Sequence, residues 1–430
     1  MNIYFRSGLC VWLIAFTISA CAAPPPIPTS EPTTLLFAYL GHGTDYQRLA
    51  EEFHEQNPGI SITLEALSVR EPTEGFSLLI EQFQEVDVVR INTTFVGPDQ
   101  LDAIHPLDEF IEGSENFPHQ DIFPGSLEAL QYEGRQLGLP AGLDPLVMFY
   151  ENIRFTIASV TPPEADYTLD DFLASAQKVN NQSASLSSGK FAYGFCTAPL
   201  SDSVFIVDMF GGGLYDQVPA PTKPTLNRPA NVAAISWYSS LWSEHALVPR
   251  VSEEPFQLFG QVSGTICGLW MQYLDMFGFA ETLPVEARVL PFPSLSDGNA
   301  YNSPALVDGY FITRNSPHPE LAWEWISYLM QHQEASLNQI PPMIPHIDSD
   351  EYAQRVSPDV LTVARRLPLD LPFLSLDYLN DPGVMEIANI FSQAVRQVID
   401  EEGEVQSALD EAQKQAEEIF SSRGADYIQP

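Results

Sequence analysis

GLPAGLDPLVMFYEN, residues 138–152, is the stretch on which the reading of the chain turns. Gly138, Pro140, Gly142 and Pro145 supply turn chemistry, and none of them sits inside a helix without cost. Leu146 to Tyr150 is a continuous apolar run holding a β-branched residue and two aromatics. A run that short suits a strand buried on both faces better than a helix. From Phe155 to Gln177 a separate helical pattern begins behind its own proline boundary. The stretch therefore reads as a turn and a strand that leave one folded unit and enter another.

Working outward, strands and helices alternate. Thr34 to Leu40 reads as a first strand, followed by the loop Gly41-His42-Gly43-Thr44-Asp45. Tyr46 to Gln56 has apolar residues at helical spacing, Asn57-Pro58-Gly59 stops it, and Ile60 to Leu64 alternates as a second strand. Glu85 to Ile91 is a third. Thr168 caps a helix with Asp171 at its third position, ending near Val179 before a polar loop over 180–189. Phe191 to Phe195 is a short strand, Ser203 to Phe210 is apolar and runs into Gly211-Gly212-Gly213, and Asn231 to Leu241 is helical. Val289 to Pro293 and Ala305 to Thr313 are strands, and Ala305 to Thr313 returns to the first unit. Pro319 to Met330 is an amphipathic helix whose spacing assigns Trp323 and Trp325 to the core. Ile340 to Pro345 crosses again, and helices over 383–391 and 405–420 complete the chain.

This order predicts two α/β units with mostly parallel sheets and a cleft where strand C-termini converge. The crossings fall near Leu146–Tyr150, Tyr301–Pro304 and Ile340–Pro345. The expected division is residues 34–147 plus 301–339 for the first lobe and 148–300 plus 340–430 for the second.

Several of these segments resemble the bacterial family 1 extracellular solute-binding proteins, the capture subunits of sugar-type ABC importers. Leu139-Pro140, the apolar strand and Tyr150 with Asn152 look like that family's lobe-to-lobe crossing, with Glu151 standing between the last two as a departure. Asn57-Pro58-Gly59-Ile60, Val86-Asp87-Val88 and LDAIHPLDEFI over 101–111 match its opening in order. Phe256 to Trp270, Leu290-Pro291-Phe292-Pro293 and the final helix match its later wording. The resemblance implies a periplasmic-binding-protein-like fold, no catalysis, a small-molecule ligand of sugar type and a membrane permease as partner.

Residues 1–20 read as an export signal: Arg6 supplies a positive start and Leu9 to Ile18 an apolar run too short to span a bilayer. Ile18-Ser19-Ala20-Cys21 resembles the bacterial lipobox, which implies acylation of Cys21 and a membrane anchor in the cell envelope. Residues 21–33, with five prolines, form a semi-rigid tether. With 19 Lys+Arg against 57 Asp+Glu the chain carries a formal charge of −38. Such a surface repels phosphate backbones and argues against nucleic-acid binding. Solubility in a salty or acidic medium accounts for it otherwise. Cys196 and Cys267 either pair in an oxidising compartment or stand as two buried thiols, and the second reading is favoured slightly. The histidines form no HxxxH or HxH pair and CxxC is absent, so no dedicated metal site or cofactor is expected. A monomer is expected.

A sugar ring pairs an apolar C–H face with a rim of hydroxyls, and aromatic plates edged by carboxylates and amides complement it. The candidate ligand-binding residues are Tyr39, His42, Asp45, Asn92, Asp144, Trp270, Tyr273, Asp308 and Tyr310. Asn92, Trp270 and Tyr273 gain weight from positions that face ligand in the resembling family. Core packing is the alternative for Trp270 and Tyr310, and a plain structural turn for the Gly41–Asp45 loop. A polyamine or iron-complex binder of the same fold and a secreted carbohydrate-active enzyme are the rival functions. The enzyme lacks a GxSxG elbow, and Asp170-Asp171 is better explained by helix capping than as a glycosidase pair.

Overall fold

The computed structural model describes residues 32–40, 45–67, 86–185, 193–197, 199–217, 221–248, 267–274, 287–295, 304–332, 339–401 and 403–422. The strands are β1 (Thr33–Leu40), β2 (Ile60–Leu67), β3 (Val88–Asn92), β4 (Gln131–Tyr132), β5 (Arg135–Gln136), β6 (Gly138–Asp144), β7 (Leu146–Glu151), β8 (Tyr193–Cys196), β9 (Cys267–Tyr273), β10 (Ala287–Leu290) and β11 (Leu306–Ile312). The helices are α1 (Tyr46–Gln56), α2 (Pro98–Ala103), α3 (Asp108–Gly113), α4 (Asn152–Ala158), α5 (Leu169–Ser185), α6 (Pro199–Met209) and α7 (Pro229–Ser243) in the first part of the chain. They continue as α8 (Pro319–Gln331), α9 (Ile344–Ile347), α10 (Asp350–Arg355), α11 (Pro358–Ala364), α12 (Leu376–Leu379), α13 (Pro382–Glu401) and α14 (Val405–Ser422).

The strands form a five-stranded sheet, β2-β1-β3-β11-β6, and a four-stranded sheet, β10-β7-β9-β8, beside the small β4-β5 hairpin. Each large sheet has one reversed strand. β11 runs antiparallel to β3 and β6 in the first, and β7 antiparallel to β9 and β10 in the second. Both sheets are therefore mixed and not mostly parallel as expected: four of their seven strand pairings are antiparallel, all of them made by these two exceptions. The exceptions have one cause: the other strands end at the edge where the sheets face each other, whereas β7 enters its sheet from that edge. β11 likewise begins level with the ends of β3 and β6.

Gly138 to Asp144 is a strand, correcting the turn reading. β6 is an edge strand with β11 as its neighbouring strand and a single bridge, Leu143 to Ile340, on its other side, so the missing N–H of Pro140 breaks no essential rung. The pairing slips between Asp308 and Gly309, leaving Ala141 unmatched as a bulge. A Cβ on Gly142 would stand 2.3 Å from the Gln339 side chain. The glycine permits this close approach. Only Pro145 separates β6 from β7, so the chain changes sheets across one residue.

α5 also departs from expectation, running to Ser185 instead of ending near Val179. Its capping box is as read: the Asp171 carboxylate accepts from Thr168 N–H at 3.0 Å, and Asp171 N–H donates to the Thr168 hydroxyl at 3.2 Å. Asn180, Asn181, Ser183 and Ser185 are weak helix formers, yet Gln182 and Ala184 favour helix and no glycine or proline intervenes to stop it. The apolar Ser203 to Phe210 segment is the greater part of α6.

Phe37, Leu49, Phe53, Tyr310, Trp325 and Leu329 pack α1 and α8 on one face of the first sheet. Met148, Tyr150, Phe195, Leu269 and Met271 pack the second sheet on α5, α6, α7, α13 and α14. A further cluster joins Val89, Ile91 and Val307 of the first sheet with Phe149, Trp270 and Val289 of the second, through Val360, Val363, Phe373 and Leu376. Cys196 and Cys267 are disulfide-bonded across β8 and β9, which corrects the reading of two separate thiols.

Candidate ligand cleft

Strand direction assembles the site. Leu40, Asn92 and Asp144 end β1, β3 and β6 at one edge of the first sheet, while Tyr273, opposite Leu146, ends β9 at the facing edge of the second. Leu274 N–H donates to Pro145 carbonyl at 3.0 Å, holding the end of β9 against the crossing. Backbone loops and helix starts converge here, the usual place for a ligand in open α/β sheets.

Tyr273 is half-buried and meets Phe205 of α6 edge-on, with ring centres 5.7 Å apart. Burial raises its phenol well above the ordinary value, and the charges of Asp144, Asp208 and Asp202 and the neighbouring Tyr378 add to the shift. One ring thus stands within electrostatic reach of a carboxylate from the first sheet, two from α6, and a phenol from α12. Asp202 accepts a hydrogen bond from the Thr197 hydroxyl at 2.6 Å, whose oxygen also lies 2.6 Å from Tyr238 Oη. Tyr378 meets Tyr215 edge-on at 6.3 Å, and Asn380 Nδ2 donates to Val96 carbonyl at 2.9 Å, bringing α12 to the end of β3. Thr93, just past β3, and Ser203, on α6, are fully buried, and their hydroxyls have no hydrogen-bond partner among the described residues. Buried hydroxyls are usually bonded, so these two depart from the rule.

The Asp208 carboxyl is pushed up to about 8 by burial, against the opposing attraction of Arg228. A raised acid pKa means the folded state holds a proton the unfolded chain releases. Asp208 therefore contributes stability at acid pH that declines as pH rises from about 4 toward about 8. Asp208→Asn should flatten this slope, seen as a melting-temperature difference from wild type that widens in the variant's favour between those values.

The other predicted residues divide. Tyr39 is half-buried on β1, 4.7 Å from the Tyr46 ring, and Asp45 is exposed, where it caps α1 by accepting from Arg48 N–H at 3.2 Å. His42 lies outside the described residues, as do Thr44, Cys21, residues 301–303 and residues 256–266. Asn92 and Asp308 are buried and engaged with each other: Asn92 Nδ2 donates to Asp308 at 2.8 Å, and Asn92 Oδ1 accepts from Thr94 N–H at 3.0 Å. Asp308 also pairs with the buried Arg90 at 2.6 Å, and Arg90 reaches the Gln339 side chain. Their polar atoms serve the sheet. Tyr310 is fully buried between the first sheet and α1, its hydroxyl 3.2 Å from that of Tyr46, and is a core residue. Trp270 stacks on Phe149 at 5.4 Å inside the joint core, the packing alternative allowed for it.

Asp202, Phe205, Asp208 and Tyr378 went unnoticed in the sequence. The signal was present for α6: an apolar segment carrying two aspartates and leading into three glycines. A Cβ on Gly212 would stand 2.1 Å from Asn231 Oδ1, so backbone must come close there. Among the described residues no group of His, Cys, Asp and Glu is placed to hold a metal, and no helix is long and apolar enough to cross a membrane.

Fold and cleft together define a two-lobed binding protein. The chain belongs to the bacterial extracellular solute-binding protein family, whose pattern it matches over residues 40–335. The sugar-binding protein MalE of Xanthomonas citri superposes with a TM-score of 0.67 at 17% identity, covering 93% of this chain and 100% of that one. An ABC substrate-binding protein from Listeria monocytogenes in complex with cycloalternan gives 0.66 at 16% identity, covering 91% and 99%. A solute-binding protein from Thermotoga lettingae bound with α-D-tagatose gives 0.65 at 15% identity, covering 90% and 100%. At these identities the likeness establishes the periplasmic-binding-protein-like fold.

Proposed function

We propose that the protein is the lipid-anchored, extracytoplasmic capture subunit of an ABC importer, tethered through Cys21 and binding a mono- or oligosaccharide as a monomer. The observation that carries this reading is Tyr273 with Asp144 from the opposite sheet and Asp202, Asp208, Phe205 and Tyr378 from its own side. Aromatic faces with acceptor and hydroxyl groups at their rim are the complement of a pyranose. Groups from both lobes meet the ligand together only when the lobes are shut, so ligand favours the closed form, which the permease then recognises. The division at Pro145, with the first lobe regaining the chain near residue 304 and the second near 345, supplies the hinge.

The three carboxylates also favour a second reading, a cationic ligand such as a polyamine. Protonation of Asp208 weakens that case near neutral pH. Calorimetry with a saccharide panel and a polyamine panel separates the two: heat from polyamines alone would overturn the sugar assignment. With the ligand in hand, Tyr273→Ala should weaken binding at least about tenfold, the loss of one stacking contact of about 1.4 kcal/mol, with little change in melting temperature of the free protein.

A further inference from the structure

Helical spacing assigns both Trp323 and Trp325 to the core, yet only Trp325 is fully buried; Trp323 is half-exposed. It borders a cavity of about 440 Å³ whose walls include Phe117, Tyr328, His332, Asn57, Asn116 and Ser327. The platform is built of stacked rings: Phe110 and Phe117 both lie against Trp323, with centres 5.6 and 6.0 Å apart, and the exposed His332 stacks on Tyr328 at 4.0 Å. Donors and acceptors rim it. Asn116 is exposed at the mouth, and the Ser327 hydroxyl is buried with no hydrogen-bond partner among the described residues.

This cavity is remote from the cleft. α1 leaves the cleft edge after β1 and ends at Gln56, beside the start of β2, and β1 and β2 run parallel from Thr33↔Ile60 onward. Asn57 and Phe53 therefore mark the opposite end of the first lobe. Cavities of a few hundred Å³ hold small ligands, and aromatic walls with amide and hydroxyl groups favour sugar rings over flat hydrocarbons, which leave those polar groups unpaired.

We propose that this cavity is a second, peripheral saccharide site, which holds a neutral sugar unit of a glycan on the Phe117–Trp323–Tyr328–His332 platform. It does not depend on the cleft being a sugar site.

The test is affinity electrophoresis of the full chain through gels carrying soluble β-glucan, xylan or starch. At least one polymer should retard wild type and Tyr273→Ala alike, while Trp323→Ala and His332→Ala lose about tenfold in apparent affinity. His332 is exposed, so its variant decides the matter should Trp323→Ala fold poorly. Competition by the matching free trisaccharide marks short saccharides as the source of the ligand, and persistence of retardation marks a polymer; both keep the site. Loss of retardation in Tyr273→Ala would place all binding in the cleft and overturn the proposal. Retardation unchanged in both platform variants, or none with any polymer, overturns it as well.

Discussion

Asp308→Ala is expected to destabilise the protein by about 3–5 kcal/mol, because it strands a buried cation. Arg90 and Asp308 are each almost wholly shielded from solvent and meet at 2.6 Å on adjacent strands, two positions out of register. Removing the carboxylate leaves the guanidinium with the Gln339 side chain among its remaining contacts and takes from Asn92 the acceptor of its Nδ2. A urea titration with unchanged slope and a lowered midpoint is the expected signature. Replacing both charges with apolar side chains of similar volume should recover much of the loss, since the pair also carries a desolvation penalty. A ligand-contacting Asp308 would behave in the opposite way, with stability kept and affinity lost. A shift below about 1 kcal/mol would place Asp308 among exposed pairs and refute its buried role.

The second large effect is at the disulfide. Its half-cystines are separated by 71 residues in sequence, and a loop of that length restricts the unfolded chain by roughly 4 kcal/mol. Cys196→Ala with Cys267→Ala should lower the unfolding free energy by most of that amount, and a reductant should do the same to wild type. Alkylation of the denatured, unreduced protein settles the bond directly: label on Cys196 and Cys267 would sink it. The bridge ties the start of β9 to Cys196 of β8, beside Thr197, so its loss should also loosen the second-lobe wall of the cleft. Such bonds persist in oxidising surroundings, consistent with a protein placed outside the cytoplasm.

The architecture was legible where the local signal and the global fold agree. Leu146 to Tyr150 has no polar position and became β7, with both faces covered. Ser203 to Phe210 was ambiguous because an apolar run has no period, and so α6 and its two aspartates were missed. Gly138 to Asp144 misled for a related reason: glycine and proline mark turns, yet an edge strand with a close neighbour accepts both. Site residues were harder. Asp308 and Tyr310 lie on the right strand, but position along a strand does not reveal that a buried arginine claims one and an aromatic core the other. Tyr378 comes from a one-turn helix more than a hundred residues beyond β9, and no spacing rule connects them.

β11 is flanked on both sides in the five-stranded sheet, and it comes from residues 306–312. The four strands of the other sheet all come from residues 146–290. During synthesis or export, the inserted lobe therefore has its full set of strands before the first lobe does. Until β11 arrives, β3 and β6 each present an unpaired inner edge, and a slow pairing over such sequence distance leaves those edges open to mispairing. Of the two sheets, the one that starts first in sequence is the last to be completed.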